Sequence, residues 1–322
     1  MSFFKTKLKI KNLEIPRFMS APIDGITDSP MRQLIRECSE DELLFTEMRH
    51  VASIVHEQFN QSLKFKDIER PLCFQFAANS TLFIEEATKK VLAKNFELLN
   101  LNACCPAKNV IKSGGGSFLM SKPQMLKKII KTFTKTIDGK VPFTIKIRAG
   151  FKEKNAVEIS KLAEGEGVDA IIIHPRTQAQ GFAGLPDIEL VEEIKKKIKI
   201  PIIYSGNITS FEDAEKVYTK TNADGFMIGR ALYGAPWKLK EITQNSLGKT
   251  FSIDLKTTLR YALKHLDLVV EHYGEPYFQN IKKQLPAYIK AIQNASQTRK
   301  KLIETQNANE LKEELEKLIK NE

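Results

Sequence analysis

The chain has 322 residues, 42% hydrophobic and 28% charged, which supports a sizeable core and excludes a disordered chain. Its 50 Lys and Arg against 39 Asp and Glu give a net charge of +11, an excess that favours a polyanionic partner such as nucleic acid. Four cysteines (Cys38, Cys73, Cys104, Cys105) without C-x-x-C spacing exclude a disulfide-stapled scaffold and a zinc or dithiol motif, so no metal site and a reducing cytoplasm are expected.

Residues 1–16 alternate Lys5, Lys7, Lys9 and Lys11 with apolar residues but contain no long apolar core. No later run reaches the length of a membrane span, so neither secretion nor membrane insertion is expected. From Arg17 onward, short apolar runs alternate with longer amphipathic segments. The candidate strands are 18–21, 43–48, 72–76, 97–102, 143–148, 170–174, 202–205 and 226–229. Between them, Ala156, Ile159 and Ala163 share a helical face, as do Ile188, Val191, Ile194 and Ile198, with Glu192/Lys196 and Glu193/Lys197 as outward i,i+4 pairs. Ser210-Phe211-Glu212-Asp213 has the form of a helix start.

Eight strand–helix units predict an α/β fold, a (β/α)8 TIM barrel rather than an open doubly wound sheet. No G-x-G-x-x-G follows the first strand, which counts against a nucleotide-binding half of the latter kind. After Trp237 the strand pattern disappears, and helical stripes follow: Leu259, Leu263, Leu266 and Val270, then Leu311, Leu315, Leu318 and Ile319. The expected division is a barrel over residues 1–240 and a smaller all-helical domain over 241–322. Residues 249–301 carry ten Lys or Arg against four Asp or Glu, an excess suited either to phosphate contacts or to a solvated helical face.

Barrels of parallel strands place their chemistry at the C-terminal strand ends. Read in order, those ends carry Ala21-Pro22-Ile23-Asp24-Gly25-Ile26-Thr27-Asp28, Glu47, Gln75, Asn102 with Cys105, Lys146 with Arg148, His174 with Arg176, Ser205-Gly206-Asn207 and Gly229-Arg230. At the fourth end an apolar run breaks into Asn102-Ala103-Cys104-Cys105-Pro106. A thiol so placed can donate a proton, attack an electrophile or bind metal. The whole set has the properties of a flavin mononucleotide (FMN) site. Gln75 can read the polar edge of the ring, and Lys146 can neutralise charge near N1 and O2. Gly206-Asn207 and Gly229-Arg230 offer backbone for the phosphate.

These strand ends, with Lys146-Ile147-Arg148, His174-Pro175-Arg176-Thr177, Asp224-Gly225-Phe226-Met227-Ile228-Gly229-Arg230 and Pro236-Trp237, together resemble the tRNA-dihydrouridine synthase family over residues 18–237. The helical tail looks like that family's tRNA-binding domain. The resemblance implies an enzyme that reduces the C5–C6 double bond of selected tRNA uridines with FMN, using NADPH as reductant; no obligate protein partner is implied. By position it implies that Pro22, Ile23 and Asp24 line the flavin, that Gln75, Lys146 and His174 bind its ring edge or adjoining groups, and that Ser205, Gly206, Asn207, Gly229 and Arg230 hold the phosphate side. Asn102 is expected near flavin and uracil, and Cys105 as the proton donor. Arg148 and Arg176 are expected to serve tRNA or uracil, or to form ion pairs with Glu47 or Asp24.

The chain departs from the family pattern at Cys104, where glycine is usual, and at Ser205-Gly206-Asn207, where Asn-Gly-Asp is usual. Cys38, Cys73 and Cys104 are expected to be small buried residues. Gly114-Gly115-Gly116 is expected to confer mobility on the loop bearing Cys105. Two alternatives stand beside this reading. One is an FMN-dependent dihydroorotate dehydrogenase-like enzyme, against which the basic tail argues, and the other is a non-catalytic tRNA-binding protein with a degenerate barrel.

Overall fold

The computed structural model describes residues 3–57, 63–290, 292 and 295–322. Residues 1–2 of the basic N-terminal segment and 291, 293 and 294 of the helical tail lie outside the described residues. A short antiparallel hairpin comes first, β1 (Leu8–Ile10) paired with β2 (Leu13–Ile15). Its two-residue period turns Leu8, Ile10 and Ile15 inward and Lys9 and Glu14 outward.

Eight parallel strands follow: β3 (Phe18–Ser20), β4 (Leu44–His50), β5 (Leu72–Ala77), β6 (Leu98–Ala103), β7 (Phe143–Gly150), β8 (Ala170–Thr177), β9 (Ile202–Ser205) and β10 (Gly225–Ile228). They form one sheet in the order β3-β10-β9-β8-β7-β6-β5-β4. A parallel bridge from Met19 to Leu43 closes the ring, and the Ser20 N–H donates to the Leu43 carbonyl at 3.1 Å. The expected barrel is therefore the observed one, each strand falling within a few residues of its predicted span.

Two apolar layers result from the alternation along each strand. Leu99, Leu101, Ile145, Ile147, Ile171 and Ile173 face the surrounding helices. Met19, Phe45, Cys73, Leu98, Ile172, Ile203 and Met227 face the barrel axis, where the N-terminal hairpin's Leu8, Ile10 and Ile15 complete the lower core. Continuing the inward parity toward the C-terminal ends brings Gln75, Asn100, Asn102, Lys146, Arg148, His174, Ser205 and Gly229 to the mouth. Aliphatic residues thus fill the floor and polar ones the rim, as a barrel with its chemistry on one face requires.

The outer helices follow the predicted patterns. Helix Ala156–Gly165 buries Ala156, Ile159 and Ala163, and helix Ile188–Lys197 buries Leu190, Val191 and Ile194. Ser210 caps helix Phe211–Thr221 in a reciprocal capping box with Asp213. The C-terminal region is helical, its longest element being Leu255–Tyr273. Leu259, Leu266, Leu311 and Leu315 pack there in a second apolar cluster, to which Cys38 and Trp237 contribute from the preceding region. Among the described residues, no helix is long and apolar enough to cross a membrane.

Candidate active site

The barrel mouth opens into a cavity of about 1040 Å³, lined by every predicted site residue except Arg176. This volume is at the upper end for small-molecule sites, which run to roughly 1,000 Å³.

A buried chain of amides and a hydroxyl builds the centre of the mouth. Asn102 Nδ2 donates to Gln75 Oε1 at 2.8 Å, Gln75 Nε2 to Asn100 Oδ1 at 2.8 Å, and Asn100 Nδ2 to Thr144 Oγ1 at 2.8 Å. Since a buried polar group without a partner is costly, this pairing fixes the orientation of each amide. At the chain's upper end, Asn102 Oδ1 accepts from the backbone N–H groups of Cys104 (3.0 Å) and Cys105 (2.9 Å). Asn102 therefore shapes the turn that presents the thiol. Asn100 was not among the predicted residues, although its spacing of two from Asn102 puts both on the inward parity and was the available signal.

Cys105 is half-buried and faces the cavity. Burial pushes its thiol pKa up; Cys104 and Asp24 push in the same direction, while the Ala107 N–H and Lys146 oppose them. The neighbouring Cys104 is buried, as expected, but it also contacts Lys146, whose Nζ lies 3.2 Å from its Sγ.

The Gly114–116 expectation is corrected at Gly116. Gly116 has φ +56°, and a Cβ there would sit 2.7 Å from the Cys105 carbonyl oxygen. Ser117 donates to that same oxygen from its N–H (3.0 Å) and its hydroxyl (2.9 Å). The glycine permits close approach that anchors the thiol loop, rather than loosening it.

His174 is the most informative group. Its Nδ1 is 2.8 Å from the Ser205 carbonyl oxygen, which can only accept, so Nδ1 carries the proton and Nε2 presents a lone pair. Burial, reinforced by the charges of Lys146, Arg148 and Arg176, lowers the His174 pKa to about 3, so the ring is neutral at physiological pH. Nε2 is buried and has no partner, so it suits a ligand with an N–H or O–H to donate; a flavin has both, on its ring and on its ribityl chain.

Next to it on the rim, just after β9, Asn207 occupies the left-handed region at φ 52°, which asparagine tolerates better than most residues. Its Oδ1 accepts from Arg230 Nη2 at 2.8 Å and Arg176 Nη1 at 3.5 Å. Gly229 leaves an open cradle, since a Cβ would stand 3.6 Å from Ala21 Cβ and 3.8 Å from Ile23 Cδ1. The Ser205 carbonyl, not its side chain, engages His174, so serine at this position preserves that contact.

The expected ion pairs of Arg148 and Arg176 with Glu47 or Asp24 are not found. Arg148 donates to the carbonyls of Cys104 (2.9 Å), Thr177 (2.9 Å) and Gly181 (3.1 Å), joining two loops. Arg176 clasps the Gly184 carbonyl at 2.6 and 3.2 Å. Glu47 and Asp24 instead pair with Arg49, at 2.7 and 3.7 Å. Backbone oxygens win because each loop end buries carbonyls that need donors, and a guanidinium fork serves several at once.

Phe182, an exposed residue in the loop after β8, lines the cavity and lies under the Arg230 guanidinium at 4.8 Å. Its contact is tertiary, and nothing in the local sequence distinguished it.

The family described as "Dihydrouridine synthase (Dus)" matches residues 19–322. A probable tRNA-dihydrouridine synthase of Rickettsia conorii is 32% identical over 302 residues, covering 91% of this chain and 90% of its own. The tRNA-dihydrouridine synthase B of Salmonella typhimurium is 31% identical over 312 residues, covering 95% and 96%. Among solved structures, an old yellow enzyme homologue from Zymomonas mobilis shares the fold at TM-score 0.56 and 12% identity, covering 80% of this chain and 95% of its own.

Proposed function

Because the chain belongs to the dihydrouridine synthase family, and is thereby a flavin-dependent oxidoreductase, we propose that it reduces the C5–C6 double bond of specific uridines in tRNA. When bound, FMN would supply the hydride for C6, with NADPH as the source of reducing equivalents. Pro22, Ile23 and Asp24 would line one side of the flavin, with Gln75, Lys146 and His174 at its ring edge. Ser205, Gly206, Asn207, Gly229 and Arg230 would hold the phosphate side. The fit rests on the unpaired His174 Nε2, the open cradle at Gly229 and the paired arginines at Asn207.

Reduction builds enolate charge on the uracil, and a positioned acid must quench it at C5. Cys105 is suited to this because its thiol is held up in pKa and its backbone is pinned by Asn102. Arg148 keeps the thiol loop and the Thr177–Gly181 loop together above the cavity. The target base must leave its stack to reach this depth, so the reading assigns residues 241–322 to gripping folded RNA by its phosphates.

The observation that carries the proposal is the convergence of Cys105, Gln75, Lys146 and His174 on one cavity. The Cys105→Ala variant is expected to keep its flavin absorbance and NADPH oxidation while losing about 10²- to 10⁴-fold in dihydrouridine formation. Full turnover on tRNA, followed by nucleoside mass spectrometry, would overturn the proton-donor role.

A further inference from the structure

Cys104 stands where the family pattern has glycine, and its surroundings give the extra sulfur a task. Its backbone is fixed at both ends: the N–H donates to Asn102 Oδ1 at 3.0 Å, and the carbonyl accepts from Arg148 Nε at 2.9 Å. The side chain is thus aimed by a rigid frame. Lys146 comes from the adjacent strand, in register with Asn102. Its Nζ lies 3.2 Å from Cys104 Sγ, the one hydrogen-bond acceptor it has among the described residues. Both side chains line the cavity that Cys105 faces.

An ammonium beside a thiol favours the thiolate, and a thiolate has no proton to give. The groups around Cys105 are Asp24 from the loop after β3, Lys146 and Arg148 from β7, His174 from β8, and Cys104 on its own loop. His174 is neutral and the Arg148 guanidinium is fixed on carbonyls, whereas Lys146 is the cation whose charge acts on the Cys105 thiol to favour its ionised form.

We propose that Cys104 is a positioning residue for Lys146: its sulfur anchors the ammonium beside Cys105 rather than on it, so that the Cys105 thiol keeps its proton until substrate takes it. The inference rests on Cys105 as proton donor, and it assigns this chain's second thiol a part in the same step.

The test is the pH dependence of iodoacetamide alkylation at Cys105 in the purified full-length protein. Peptide mass spectrometry scores the two cysteines separately. Cys104→Ala is expected to lower the midpoint of Cys105 alkylation by about one pH unit. Cys104→Ser, which keeps an acceptor and nearly the same volume, is expected to lower it less and guards against misfolding of the alanine variant. In a Lys146→Met background, removing Cys104 is expected to leave the midpoint in place. An unchanged or raised midpoint in Cys104→Ala overturns the proposal, as does an equal drop in the Lys146→Met background. Alkylation requires no turnover. A protein that shows these shifts but makes dihydrouridine without Cys105 therefore refutes the donor role while leaving the anchoring of Lys146 intact.

Discussion

Replacing Asn102 with alanine tests whether the buried amide chain, rather than the thiol alone, makes the site. The substitution removes the 2.8 Å bond to Gln75 Oε1 and the bonds of 3.0 and 2.9 Å from the Cys104 and Cys105 N–H groups. At about 1 kcal/mol net for each, the lost bonds amount to about 3 kcal/mol of stability. Gln75, 1% exposed, is left with an unsatisfied oxygen, so the loss should not fall much below that figure. The chemical effect should be larger than the structural one, because displacing a reacting group by about 1 Å can lower the rate about 10²-fold. Urea unfolding reads the first quantity, and dihydrouridine formation on tRNA, normalised to bound flavin, reads the second. A variant within about 1 kcal/mol of wild type that keeps most of its activity would refute the positioning role derived from this geometry.

The thiol loop and the helical core yield two further predictions. Gly116→Ala should destabilise the protein by about 2 kcal/mol or more, since left-handed backbone strain adds to a 2.7 Å clash with the Cys105 carbonyl. Gly248→Ala, with φ +77° but open space around its Cβ, should lose only about 1 kcal/mol; equal melting shifts for the two would show that close approach to Cys105 does not matter. His265 is fully buried, its Nδ1 3.1 Å from the Tyr288 hydroxyl, and burial lowers its pKa to about 3. The unfolded chain therefore binds a proton below about pH 6.5 that the folded chain refuses, so this contribution is complete above pH 6.5 and shrinks on acidification, by about 2 kcal/mol at pH 5. His265→Leu should close its stability gap to wild type by that amount between pH 7.5 and pH 5, and a constant gap in denaturant titrations would contradict the assignment.

The barrel was legible because each apolar run ends in a polar residue at the point where a strand reaches the mouth. Residues 202–205 coincide with β9, and the Ser210 cap lies where its sequence spacing put it. The N-terminal hairpin was not anticipated, although its two-residue period was visible. Two three-residue strands around Lys11 and Asn12 are too short for periodicity to separate from a basic amphipathic segment. Arg148 lines the mouth cavity and Arg176 does not, and the partners of both include carbonyls of loops that only the closed barrel brings near. Glycine identity at position 116 did not discriminate between mobility and close packing, because both use the same missing Cβ.

The mouth also sorts its charges in a way that residue identities alone do not reveal. Arg148 and Arg176 are 2% and 1% exposed, and among the described residues neither has a carboxylate partner. Their hydrogen bonds are absorbed by carbonyl oxygens, but the positive field remains, and with Lys146 it acts against protonation of His174. The rim is therefore cationic in field while its histidine stays a neutral acceptor. Such a site favours a ligand that is anionic at one place and offers a polar hydrogen at another, as the proposed FMN would. It also favours a reaction in which negative charge builds up beside the cations, as the proposed reduction requires. Substituting Arg148 would disturb both at once, the field and the tie between loops, whereas under the proposed mechanism substituting Cys105 would remove only the last proton.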